Sequence, residues 1–151
     1  MAGRAPTNWE IIAAIKSILE ADSDLTTWFL AQVSHGLKVT EYDPAITPVR
    51  LQVGVEISKI YEESRDKSCT RFISVFDLHV YETGSNTATV NEALGRLESA
   101  IVEKTALVDA HASEWDQVAM RNIRFNGRIG QAPVNDGFTV ATTFEALTYY
   151  H

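Results

Sequence analysis

Asp77-Leu78-His79 is the grouping in this sequence best placed to do chemistry. In a strand, side chains two apart share a face, so the carboxylate and the imidazole would stand together. Such a pair can act as a base and its orienting group, or supply two ligands to a metal. No third ligand or nucleophile comes with a recognisable spacing, and His35, His111 and His151 are scattered singly. The plainer reading is a solvent-facing strand surface. Cys69 would be a nucleophile only beside a group that lowers its pKa, and the sequence names none; a small buried hydrophobe is the simpler role. Gly127-Arg128-Ile129-Gly130 matches neither a P-loop nor a dinucleotide-binding pattern and reads as a loop.

Arg121, Arg124 and Arg128 stand out instead, as a basic cluster in a segment without a single acid. They could touch phosphates, pair with acidic patches on a neighbouring copy, or simply be solvated. The tryptophans and Tyr149-Tyr150 read as core or interface filler rather than a ligand cage. No catalytic constellation emerges, and neither a cofactor nor a metal is expected.

These residues have to be positioned by elements that the pattern of apolar residues predicts. Thr7-Asn8-Trp9-Glu10 matches a capping box, and Ile11, Ile12, Ile15, Ile18 and Leu19 follow at helical spacing, with Glu10, Lys16, Ser17 and Glu20 mostly on other faces. The helix runs to about residue 21. Asp22-Ser23-Asp24 then caps a short helix through Leu25, Trp28, Phe29 and Val33, which His35-Gly36 ends. Leu37–Thr40 reads as a short strand before a loop holding Pro44 and Pro48. Leu51, Val53, Val55 and Ile57 alternate with polar or small residues, a strand with one dry face. Residues 59–68 read as an exposed connection, and Cys69–Tyr81 as a long strand carrying Phe72, Phe76, Leu78 and Val80 on one parity. The two strands and their loop form an extended, projecting hairpin.

A second capping box, Thr89-Val90-Asn91-Glu92, opens a helix whose stripe is Val90, Leu94, Leu97, Ile101 and Val108. Residues 109–117 read as a polar connection around Trp115. Val118–Phe125 is a strand, Asn126-Gly127 a turn, and Phe138–Tyr150 a final long strand. The order α-(α)-β-β-β-α-β-β does not alternate helix and strand, which excludes a doubly wound parallel sheet. The fold class is α+β: a mostly antiparallel sheet with two main helices packed on one face.

Composition sets the outer bounds. The chain has 151 residues and 16.8 kDa, in the range of one domain, and 45% apolar against 22% charged residues suits a soluble globular protein. No apolar run is long enough to span a membrane, and the N-terminus lacks an apolar signal core. One cysteine makes no internal disulfide and no structural zinc. The net charge of −7 argues against a surface that grips nucleic-acid phosphates, yet the excess is uneven. Residues 61–116 carry 5 basic and 11 acidic side chains, residues 117–151 carry 3 and 2.

The whole-chain arrangement resembles the tail terminator (tail completion, neck) proteins of long-tailed bacteriophages. It is similar to them in the amphipathic helix Trp9–Ala21, the proline-containing stretch Tyr42–Pro48 and the strand hairpin Leu51–Tyr81. The long helix Val90–Val108 and the two closing strands with an aromatic end, Val118–Tyr150, complete the likeness. The resemblance implies a non-enzymatic virion protein that forms a hexameric ring, ends the polymerising tail tube and docks to the head connector. It implies assembly in the host cytoplasm, and DNA that passes through without specific binding. Rings need head-to-tail interfaces in which one patch meets a different one, and the uneven charge supplies such a pair. Arg121, Arg124 and Arg128 are the candidate interface residues. Two other classes compete: a small cytoplasmic enzyme with Asp77 and His79 at its site, and an adaptor domain that binds a protein partner without forming a ring.

Overall fold

A computed structural model describes residues 4–45, 48–65, 70–83, 86–109 and 117–150 of the chain. The Thr7 hydroxyl accepts from the Glu10 amide at 3.2 Å while the Glu10 carboxylate accepts from the Thr7 amide at 2.9 Å. Two orphan amides are thereby satisfied, and α1 (Asn8–Glu20) begins where the capping box predicts. Its stripe of Ile11, Ala14, Ile15, Ile18 and Leu19 is buried. Glu10 is buried as well, not off the core as its polarity suggests, because the Tyr150 hydroxyl donates to its carboxylate at 2.6 Å. Asp22 caps α2 (Ser23–Gln32) by accepting from the Leu25 amide at 3.0 Å, and Gly36 turns the chain at φ 67°.

Strand β1 (Val39–Glu41) pairs in parallel with the start of β2 (Val53–Arg65), and every other pairing is antiparallel. Lys59 and residues 61–64 are exposed as expected, with Ile60 half-buried against the core, but the segment is not a connection: β2 continues through it against β3 (Thr70–Thr83). The ladder with β3 satisfies the backbone, so polar side chains are tolerated where no layer covers either face. Cys69 lies outside the described residues.

Helix α3 (Thr87–Ile101) is capped by Asn86, whose side chain accepts from the Thr89 amide at 3.2 Å. Asparagine is as good a cap as threonine, and starting at Asn86 gains residues ahead of the predicted box at Thr89. The helix ends at Ile101, short of Val108. Glu103 adopts φ 65° and redirects the chain into β4 (Ala106–Asp109), where Val108 lies opposite Val118. Val108 still packs on the core, but from a strand. The polar connection expected around Trp115 and His111 lies outside the described residues.

Strand β5 (Gln117–Val134) runs far past Phe125. The turn into β6 (Gly137–Tyr150) falls at Asn135-Asp136, with Asn135 at φ 53°, and Asn126-Gly127 is instead a bulge. Asn-Gly serves both uses, since each needs a residue that tolerates positive φ. The sheet order is β1-β2-β3-β6-β5-β4. Helices α1 and α3 pack on one face of it, as the sequence predicts, and α2 lies against both. Phe76, Leu78, Val80, Val140 and Phe144 meet Leu94, Leu97 and Ile101 there. Phe76 and Phe144 stack with centroids 5.5 Å apart.

Leu97 is fully buried in this layer. Leu97→Ala should lower unfolding free energy by about 2–5 kcal/mol, read from urea denaturation, since the helix cannot collapse freely onto the sheet.

Candidate functional site

The three arginines all come from β5, but bulges divide them between the two faces of the sheet. Register shifts fall between Arg121 and Arg124, Phe125 and Gly127, and Ile129 and Ala132. Arg121 and Arg124 stand beside Leu147 and Glu145 on the face away from the helices. Both are exposed, and neither makes an ion pair among the described residues. Arg128 lies beside Thr142 on the helix side and forks onto Glu98 of α3, at 2.8 Å from Nε and 2.6 Å from an Nη. Those hydrogen bonds hold its guanidinium charged still more firmly than usual.

Two long sheet edges accompany them. β1 covers β2 only at Val53–Val55, so from Glu56 onward β2 has a single described neighbour, β3. β4 covers β5 only through Met120, and the Glu103 amide then bonds the Ile123 carbonyl at 3.0 Å. Beyond that, Arg124 to Pro133 has a neighbour only in β6 among the described residues. The two edges differ. That of β2 carries Glu56, Glu62 and Glu63 with Lys59, Arg65 and Tyr61; that of β5 carries arginines, Phe125 and Ile129, and no acid. Tyr61, Phe125 and Ile129 are all exposed large apolar side chains.

On the same helix-free face, Asp77 and His79 do stand together, but they are not a solvent-facing surface. Asp77 is 6% exposed. One carboxylate oxygen accepts from the Thr143 hydroxyl at 2.7 Å, and the other from the Ser58 hydroxyl at 3.4 Å. His79 is covered by the ring of Tyr42, stacked at 3.9 Å and 11°. Gly54, beside His79 across the ladder, makes that possible: a Cβ there would sit 3.0 Å from the Tyr42 ring. Burial lowers the His79 pKa from its usual 6.5, outweighing the upward pull of Glu56 and Asp77. A cleft of about 260 Å³ opens beside the ring, lined by Tyr42, Val49, Gln52, Tyr81 and Thr139.

Sequence reasoning finds Asp77 and His79 but misses Glu56, directly opposite Asp77 on β2. The alternation of 51–58 places Glu56 on the wet face, yet strand register decides whom it meets. Tyr42 and Glu98 are missed for the same reason. Each arrives from an element distant in sequence.

No protein-family model matches the sequence, and no curated protein matches it. Solved structures do share the fold. One is a chain from the virion of native gene transfer agent (GTA) particle, 18% identical, with 97% of this chain and 99% of that chain covered at a TM-score of 0.65. A second solved chain is 15% identical, with the same coverage of 97% and 99% and a TM-score of 0.53. At these identities the likeness is one of fold, and it extends over the whole described architecture.

The Thr143 hydroxyl is the shorter of the two bonds that Asp77 accepts. Thr143→Val keeps the shape and removes the donor, so it should cost about 1–3 kcal/mol, measured by denaturant unfolding.

Proposed function

We propose that this protein is a structural component of a phage-like particle, and within it the ring that terminates the tail tube and joins the tail to the head connector or neck. The observation that carries the reading is the match of its whole fold, end to end, to a chain from a GTA virion.

The two sheet edges support a ring. Head-to-tail closure joins unlike patches, and here an edge of mixed charge, with three glutamates beside Lys59 and Arg65, and an edge whose only charges are arginines lie at opposite sides of one sheet. β2 and β5 run in opposite directions, because three antiparallel pairings separate them. Rotation about an axis along the strands preserves direction, so β2 of one copy meets β5 of the next antiparallel, the favourable sense. The bulges of β5 limit a continuous ladder, which leaves side chains as the main contact. We assign Arg121 and Arg124 to that contact, with Arg128 at its margin because Glu98 already holds it. Six such copies would form a hexamer around a lumen. A net charge of −7 per copy would keep DNA moving through it rather than bound.

Asp77 and His79 favour this reading over a small enzyme. Both carboxylate oxygens of Asp77 are occupied by hydroxyls, and the Tyr42 ring stacks over the His79 imidazole, so neither side chain stands open to a substrate.

Exposed ion pairs are worth at most about 1 kcal/mol each, but a ring repeats them at every interface. Arg124→Glu should therefore leave a folded monomer by circular dichroism while reducing the size-exclusion mass of the assembly and giving tails of irregular length by electron microscopy. Antibody against the protein should decorate the head–tail junction of purified particles. Label confined to capsid or tail tip, or normal rings and tails in an Arg121→Glu, Arg124→Glu double variant, would defeat the terminator reading.

A further inference from the structure

The geometry points to a divalent transition-metal site formed by Glu56, Asp77 and His79 across β2 and β3, with zinc the ion that fits best. The sequence supplies two of the donors along one strand; the third comes from across the ladder. One donor atom from each residue lies within 4.8 Å of the other two. His79 Nε2 stands 3.6 Å from Glu56 Oε1, too long for a hydrogen bond. It is close to the roughly 3.4 Å that separates two ligand atoms on one tetrahedral zinc ion.

Two further observations ask for a cation at this point. Both ring nitrogens of His79 are shielded from solvent and lack a hydrogen-bond partner. A buried imidazole ordinarily finds one, and a metal would take the Nε2 lone pair. Glu56 and Asp77 are directly opposite on antiparallel strands, where like charges repel. No lysine or arginine among the described residues pairs with either of them. A buried carboxylate such as Asp77 is normally paired or bound to metal.

The surroundings are those of a held site. Thr143 and Ser58 fix the Asp77 carboxylate, and the Tyr42 ring fixes the imidazole plane. One nitrogen and two oxygen donors suit zinc, cobalt or manganese, whereas magnesium and calcium take oxygen-only sets. Three protein ligands leave a fourth position for water. Bound there, the ion would clamp β2 to β3 at the base of the projecting hairpin. The site stands independently of the particle reading.

The test is calorimetric titration of zinc chloride into the full chain after EDTA treatment and gel filtration. One ion per chain is expected. Glu56→Gln and His79→Gln should each weaken binding beyond the roughly 10–100-fold that loss of an outer-shell partner causes. His35→Gln, whose ring is 2.9 Å from the Arg50 carbonyl, should bind like the parent chain. Zinc should also raise the melting temperature of the parent chain but not of Glu56→Gln, whose exposed side chain makes misfolding a poor explanation. No zinc uptake, or uptake undiminished in both Glu56→Gln and His79→Gln, would overturn the assignment.

Discussion

The helical layer is too short for the sheet it covers, and the shape of this protein follows from that mismatch. The 15 residues of α3 span about 22 Å at 1.5 Å each, whereas the 18 residues of β5 span about 60 Å at 3.3 Å each. Apolar burial can be won only where a helix stripe faces the strands, so the core gathers at Phe76, Leu78, Phe144 and Leu97. Past that region β2 and β5 leave most of their side chains exposed, and the strands rely on each other for hydrogen bonds. The β2–β3 and β5–β6 hairpins therefore run out at opposite ends of the sheet, since β3 and β6 pair antiparallel from Phe72–Thr148 to Thr83–Gly137.

Buried carboxylates pin both ends of this arrangement. Glu10 accepts from the Thr7 amide and from Tyr150, whose ring also lies 4.2 Å beneath the Arg4 guanidinium. The first helix and the last strand thus share one charge. At the other end Glu82, equally buried, accepts from Arg50 Nε at 2.7 Å and from the Thr83 amide at 2.9 Å. Hydrogen bonds to an ionised group are stronger than neutral ones, and an orphaned carboxylate in either place would be costly. These pairs bear on specificity. They fix which strand end meets which segment, where an apolar contact alone would tolerate sliding.

The parts of the fold legible in the sequence are those governed by local chemistry. Thr7 and Glu10 sit three residues apart, so the capping box and the stripe behind it follow from spacing, as does the alternation of Phe138–Tyr150. The misplacements occur where several local solutions compete. Asn86 and Thr89 are both good caps; Asn126-Gly127 and Asn135-Asp136 are both good turns; Val102–Thr105 ends a helix only because β4 then finds β5. The same limit governs the sites. Asp77 and His79 are readable because they share one strand, while Glu56, Tyr42 and Glu98 reach their partners through register and packing, which spacing does not encode.

The bulges in β5 bear on a problem that its length creates. A long free edge is a template for indiscriminate strand addition, and natural sheets blunt such edges with charge, proline and irregular backbone. β5 has all three in Arg124, Pro133 and its repeated register shifts. β2 is similarly broken, near Ser58 and near Glu63, and carries charges of both signs. Edges blunted in this way resist open-ended aggregation but keep exposed Phe125, Ile129 and Tyr61 available. An interface made from such edges has to be specified by side-chain position and charge, because the backbone contributes little that is selective. That is the kind of contact that closes on a defined neighbour instead of growing without limit.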